Sequence, residues 1–117
     1  MFIRMPQPSN DLSWLDVEHD VAMLLASSSD RARLSGNTEQ ANSLARKALE
    51  KECEVADALA SHENLEPSRS IIHLSAASLA VICEEIGIAK RLATQGLAGS
   101  PSRDVARQLK CILQLDE

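Results

Sequence analysis

The sequence predicts an all-α fold, an array of about five helices built from helical hairpins, and three observations carry that prediction. The string Ala-x-x-Leu-Ala-x-x-Ala-Leu at Ala41, Leu44, Ala45, Ala48 and Leu49 returns as Ala-x-x-Leu-Ala-x-x-Gly-Leu at Ala89, Leu92, Ala93, Gly96 and Leu97. Small residues at one-turn intervals let a second helix approach closely, so each copy reads as half of a tightly packed hairpin. Hydrophobic residues make up 44% of the chain but aromatics only 2%, which requires a core of Leu, Ile, Val and many Ala. Every long segment also repeats its apolar residues with the helical period and none with the period of a strand. At 117 residues the chain suits a single domain spanning 1–117.

The elements follow in order. Residues 1–12 hold Pro6, Pro8, Ser9 and Asn10 and predict an irregular N-terminal arm whose Phe2 and Ile3 dock on the body or on a sister chain. Ser13-Trp14-Leu15-Asp16 has the form of a capping box. Trp14, Val17, Val21, Leu24, Leu25, Ser28 and Ala32 then predict one buried face, up to a stop at Gly36-Asn37. Thr38 is placed to cap a long second helix, whose stripe runs through Ala41, Ala45, Leu49, Glu52, Val55, Ala56 and Leu59 to about Ser61. Pro67 suits the first turn of a third helix, with Glu66 or Ser68 as its cap. From Ile71 to Cys83 the residues are apolar or small on nearly every side, which predicts a central, buried helix. Gly87 predicts a turn, the second motif copy fills the fourth helix, and Gly99 predicts a left-handed stop before Ser100-Pro101. Val105, Leu109, Ile112 and Leu113 line one side of a last helix that caps the open end of the stack.

Small residues at Ala77 and Ala80, the turn near Glu84, Ala89 opening the motif and Pro101 beyond its end resemble a tetratricopeptide repeat over about residues 70–101. Gly36, Ala41, Ala45 and Ala48 supply the counterpart positions of a first, degenerate repeat. Ala41 and Ala89 are 48 residues apart, about fourteen more than the usual period of ~34, and whole extra turns in the second helix absorb the difference. His73, Ala80 and Ala93 stand where the family has aromatic residues. The chain also resembles small bacterial tetratricopeptide-like proteins through Glu66-Pro67-Ser68-Arg69-Ser70. The resemblance implies a protein-interaction module or scaffold without catalytic activity of its own, binding another protein or peptide on a face lined by the first helix of each hairpin. Asp30, Arg33, Arg69, His73 and Ser78 are the residues expected there.

Composition narrows the alternatives. Twelve Lys and Arg against seventeen Asp and Glu give a net charge of −5, which opposes nucleic-acid binding. Ser102 to Leu109 has the look of the first helix of a helix-turn-helix, but no recognition helix follows. Met1-Phe2-Ile3-Arg4-Met5-Pro6 has no apolar stretch behind a basic start, so no secretory leader is expected, and no apolar run approaches the ~18 residues of a membrane span. A cytoplasmic location is therefore expected. Cys53, Cys83 and Cys111 are odd in number and form no metal-binding spacing, so three reduced thiols in apolar helical settings are expected.

A second function class, a small helical-bundle enzyme resembling the metal-dependent pyrophosphohydrolases, would use Glu52, Glu54, Asp57, His62 and Glu85 around a divalent ion. Against it, Arg46, Lys47 and Lys51 alternate with the acidic residues at ion-pair spacing, as on a solvated helix face. Asp16-x-x-His19 is half of a bundle metal site with no second half. No cofactor or metal is implied. Ala45 and Ala93 should lie where helices touch, while Gln95 is read as an outer-face residue.

Overall fold

The computed structural model describes residues 12–117, and among them every regular element is helical. Five α-helices follow one another: α1 (Ser13–Leu34), α2 (Thr38–Leu59), α3 (Ser68–Ile82), α4 (Ile86–Leu97) and α5 (Arg103–Leu113), with one 3₁₀ turn at Glu63–Leu65 between α2 and α3. The expectations for Phe2 and Ile3 fall outside the described residues. Each helix packs on the next, and α5 also reaches α3. The result is an elongated stack, 57 × 32 × 21 Å.

The small residues of the repeated motif let the helices approach. Ala41, Ala45, Ala48, Ala89 and Ala93 are all buried, with Ala76, Ala77 and Ala80 of α3 packed among them. A Cβ on Gly96 would fall 2.9 Å from the Cβ of His73 and 3.1 Å from Leu109 Cδ1, so α3, α4 and α5 meet where only hydrogen fits. Leu109 and Ile112 seat α5 against the same core, as its amphipathic pattern predicts.

Several local expectations are corrected. The stripe assigned to the core side of α1 is only partly buried: Ala32 is buried and Leu25 packs on the core as expected, but Leu15, Ala22 and Ser29 form the rest of the inward face, while Trp14 is 40%, Val17 62% and Leu24 67% exposed. The N-cap of α1 is Leu12 rather than Ser13, and it makes no side-chain capping hydrogen bond. Asn37, not Thr38, caps α2, accepting from the Gln40 N–H at 3.1 Å. Glu66 performs the role proposed for it at α3, since its carboxylate accepts the Ser70 N–H at 2.9 Å. Gly87 lies inside α4. The α3–α4 turn instead places Glu84 at φ 60°. Gly36, at φ 83°, makes the left-handed turn between α1 and α2, a conformation glycine adopts without a Cβ clash.

Gly99 is not left-handed. A Cβ there would fall 2.5 Å from Arg69 Nη1 and 2.6 Å from Glu66 Oε2, so it is required for close approach.

Candidate functional site

Two polar systems are built into this alanine-rich frame. The first is a junction of helix ends around Arg69. From the first turn of α3 its guanidinium donates to the Ala60 carbonyl at 2.8 Å, at the C-cap of α2. It also donates to Gln95 O at 2.7 Å and Gly96 O at 3.3 Å, in the last turn of α4. Carbonyls at a helix C-terminus lack intrahelical donors and carry the negative end of the helix dipole, so one buried cation satisfies two helix ends at once. Glu66 supplies the counter-charge, with Oε2 3.6 Å from Arg69 Nη1. The same carboxylate accepts the Ser70 hydroxyl and the N–H of Ser100 at 2.8 Å. Burial pushes the Glu66 carboxyl upward, but the hydrogen bonds from Ser70 and Ser100 and the Arg69 charge outweigh it and hold the group below the ordinary carboxylate value.

One turn along α3, His73 is fully buried. Its Nδ1–H donates to Arg69 O at 2.7 Å, and its Nε2 accepts from Gln95 Nε2 at 2.9 Å. Those partners define a neutral imidazole. Burial lowers its pKa, and the nearby Arg69 charge acts in the same direction, against the hydrogen bond to Arg69 O and the charges of Asp57 and Glu66. Gln95 also reaches Asp57 Oδ1 at 3.2 Å, which accepts from Arg91 at 3.0 Å. Gln95 is thus a bridging residue and not an outer-face one. Its role was invisible in the sequence because its partners lie 22 and 38 residues away.

The second system opens to the surface. Between the start of α1, the end of α2 and the start of α3 lies a groove of about 590 Å³, walled by Leu12, Leu15, Leu59, Leu65, Ile71 and Ile72. Asp16, His19, Asn64, Glu66 and Ser68 complete its lining. His19 is held there by Glu52, a wholly buried carboxylate on α2 that accepts from Nδ1 at 2.8 Å through Oε2 and lies 3.0 Å away through Oε1. The pair crosses the α1–α2 contact alongside Lys51 and Glu18, 3.2 Å apart. Fixing Nδ1 on Glu52 orients the ring, so that Nε2 is the nitrogen directed away from the carboxylate. Only the Asp16-x-x-His19 spacing hinted at this residue, and its partner proved to be a glutamate 33 positions on.

Of the five residues expected on a binding face, Arg69 and His73 are buried and belong to the helix-end junction, so they line no surface. Asp30, Arg33 and Ser78 are exposed. Arg33 donates to Asn42 and borders a separate cleft of about 290 Å³ with Arg46 and Glu84. The structure does not gather the residues of the metal-enzyme alternative. Glu52 is held by His19, Asp57 by Arg91 and Gln95, and Glu85 by Arg46 at 3.1 Å. Among the described residues no three His, Cys, Asp or Glu side chains are placed to hold a metal ion. All three cysteines are free thiols, and Cys111 is exposed where an apolar setting was expected. No helix among these residues is long and apolar enough to cross a membrane.

Compared with protein-family models, curated proteins and solved structures, this chain matches none. The fold defines the class, an all-helical array in which each helix packs on the next.

Proposed function

We propose that the protein is an interaction module, a tetratricopeptide-like array in which α1–α2 and α3–α4 form two hairpins capped by α5, and that its groove takes a segment of another protein. One observation carries the proposal: six aliphatic side chains from α1, its N-cap and the three elements that follow α1 converge on an open groove that Asp16, His19, Asn64, Glu66 and Ser68 also line. Ile71 is 49% exposed there, an apolar surface that a partner can cover. The matching occupant is an amphipathic helix with aliphatic anchors on one face and Lys or Arg beside them, because Asp16 stands at the rim and the chain carries a net charge of −5. His19, oriented by Glu52, adds a polar contact point that fixes the direction of the bound segment. A cytoplasmic setting with reduced thiols fits this role.

The test is fluorescence polarisation with labelled amphipathic Leu/Lys and Leu/Glu peptides of equal length. The cationic series is expected to bind and the anionic series not to, and Ile71→Asp should weaken binding at least tenfold, or about 1.4 kcal/mol. Equal binding of both series, or no effect of Ile71→Asp, would defeat the groove reading.

A further inference from the structure

Helix α1 carries two apolar stripes, one buried against the rest of the chain and the other largely open, with Val21 half-buried. Leu15, Ala22 and Ser29 face inward. Trp14, Val17, Val21 and Leu24 form the other stripe, with Trp14 40%, Val17 62% and Leu24 67% exposed. Continued through Ser28 and Arg31, its spacing alternates three and four residues over the length of the helix. That alternation is the seam at which one α-helix packs lengthwise on another. It differs from a scatter of surface hydrophobes, which needs no partner.

The charges beside the stripe identify the occupant. Asp16 and Asp20 are exposed near its N-terminal end and Arg31 near its C-terminal end. Such a polarity complements itself when two copies run antiparallel, whereas parallel pairing would set Asp16 against Asp16. We propose that the outer face of α1 is a self-association seam, on which two copies of this chain pack α1 against α1, antiparallel about a two-fold axis passing between Val21 and Leu24. In that register Val21 lies opposite Leu24 of the second copy and Val17 opposite Ser28 of the second copy. Trp14 lies over Arg31 of the second copy, a cation on an indole face. Asp16 comes within about 3 Å of the same arginine along the helix axis, at ~1.5 Å per residue. Within its own chain Arg31 donates to Ser28 Oγ at 3.2 Å, which keeps the guanidinium on the seam. The apolar residues of the seam, Trp14, Val17, Val21 and Leu24, line no part of the groove, whereas Asp16 borders it and Ser28 and Arg31 adjoin Gln40 and Leu44 of α2; the proposal does not depend on the groove being a binding site.

Sedimentation equilibrium of the full chain tests this. A single helix pair is a small interface, so the dimer is expected to build up between about 5 and 500 µM. Leu24→Glu should weaken it at least tenfold while leaving the helical melt of the monomer unchanged, since Leu24 is exposed. Asp16→Arg and Arg31→Asp should each weaken the dimer severalfold, and the double variant should restore it. A monomer throughout that range overturns the proposal. So does a dimer indifferent to Leu24→Glu, which would place the contact elsewhere. Failure of the double variant to restore association rules out the antiparallel register.

Discussion

Replacing Arg69 with Met should be the most damaging single change at the junction of helix ends. Methionine keeps most of the aliphatic stem and removes the three hydrogen bonds to Ala60, Gln95 and Gly96 and the ion pair to Glu66. Hydrogen bonds from a charged donor contribute about 1.5 kcal/mol each at the low end, so three give about 4–5 kcal/mol. Breaking a buried pair by removing one partner costs about 3–5 kcal/mol on independent grounds. These two figures describe one event, so the expected loss is about 4 kcal/mol, from a total of about 5–15 kcal/mol. At about 4 °C per kcal/mol for a domain of this size, the melting midpoint should fall by about 15 °C. Arg69→Lys should fall between, because an ammonium keeps the charge but cannot reach three carbonyls from one fork. Adding Glu66→Gln to Arg69→Met should cost less than the two single changes summed, since both act on one pair. Circular-dichroism melts and urea titrations of the four variants provide the measurement. If Arg69→Met melts within about 0.5 kcal/mol of the parent, as an exposed position would, the junction does not bind the helix ends together.

Four further outcomes are expected. Gly99→Ala should destabilise by about 1–3 kcal/mol through overpacking against Arg69 and Glu66, and a melt like the parent's would show that both side chains move aside freely. Ala93→Glu should abolish the cooperative melt, because Ala93 is fully buried at the α4 contact and a carboxylate there has no partner. Because His73 is held neutral with a lowered pKa, its contribution to stability is fully present above the ordinary value of 6.5 and is lost as pH falls from there through the folded-state value. Gln95→Glu should raise the His73 pKa and shrink that acid-dependent loss, while lowering stability at pH 8 where the new charge faces Asp57; urea titrations from pH 8 to 5 with an NMR titration of the ring check both. Thiol titration should show Cys111 reacting first and Cys53 and Cys83 slowly until the chain unfolds, since burial pushes both of those thiols up.

The helical nature of each segment and the small-residue contacts were legible in the sequence because both are local. Ala45, Ala93 and Gly96 declare close packing within one turn of themselves, whatever they finally touch. The Glu66 cap of α3 was readable for the same reason, its bond to Ser70 spanning four residues. On α1 local information was insufficient. Its two stripes both have helical spacing, and the apolar weight of Trp14, Val17, Val21 and Leu24 favoured the outer one; arrival of α2, with buried Glu52 reaching His19, selected Leu15, Ala22 and Ser29 instead. The roles of Arg69, Gln95 and Gly99 were likewise decided by tertiary structure. An arginine that serves helix ends 9 and 26 residues away has no signature in its own neighbourhood, and a glycine needed for that arginine's approach looks in sequence like any helix stop. Periodicity and capping determine which segments coil. Which face turns inward, and which polar groups are buried together, depends on contacts between segments distant in sequence, and those exist only once the helices have packed.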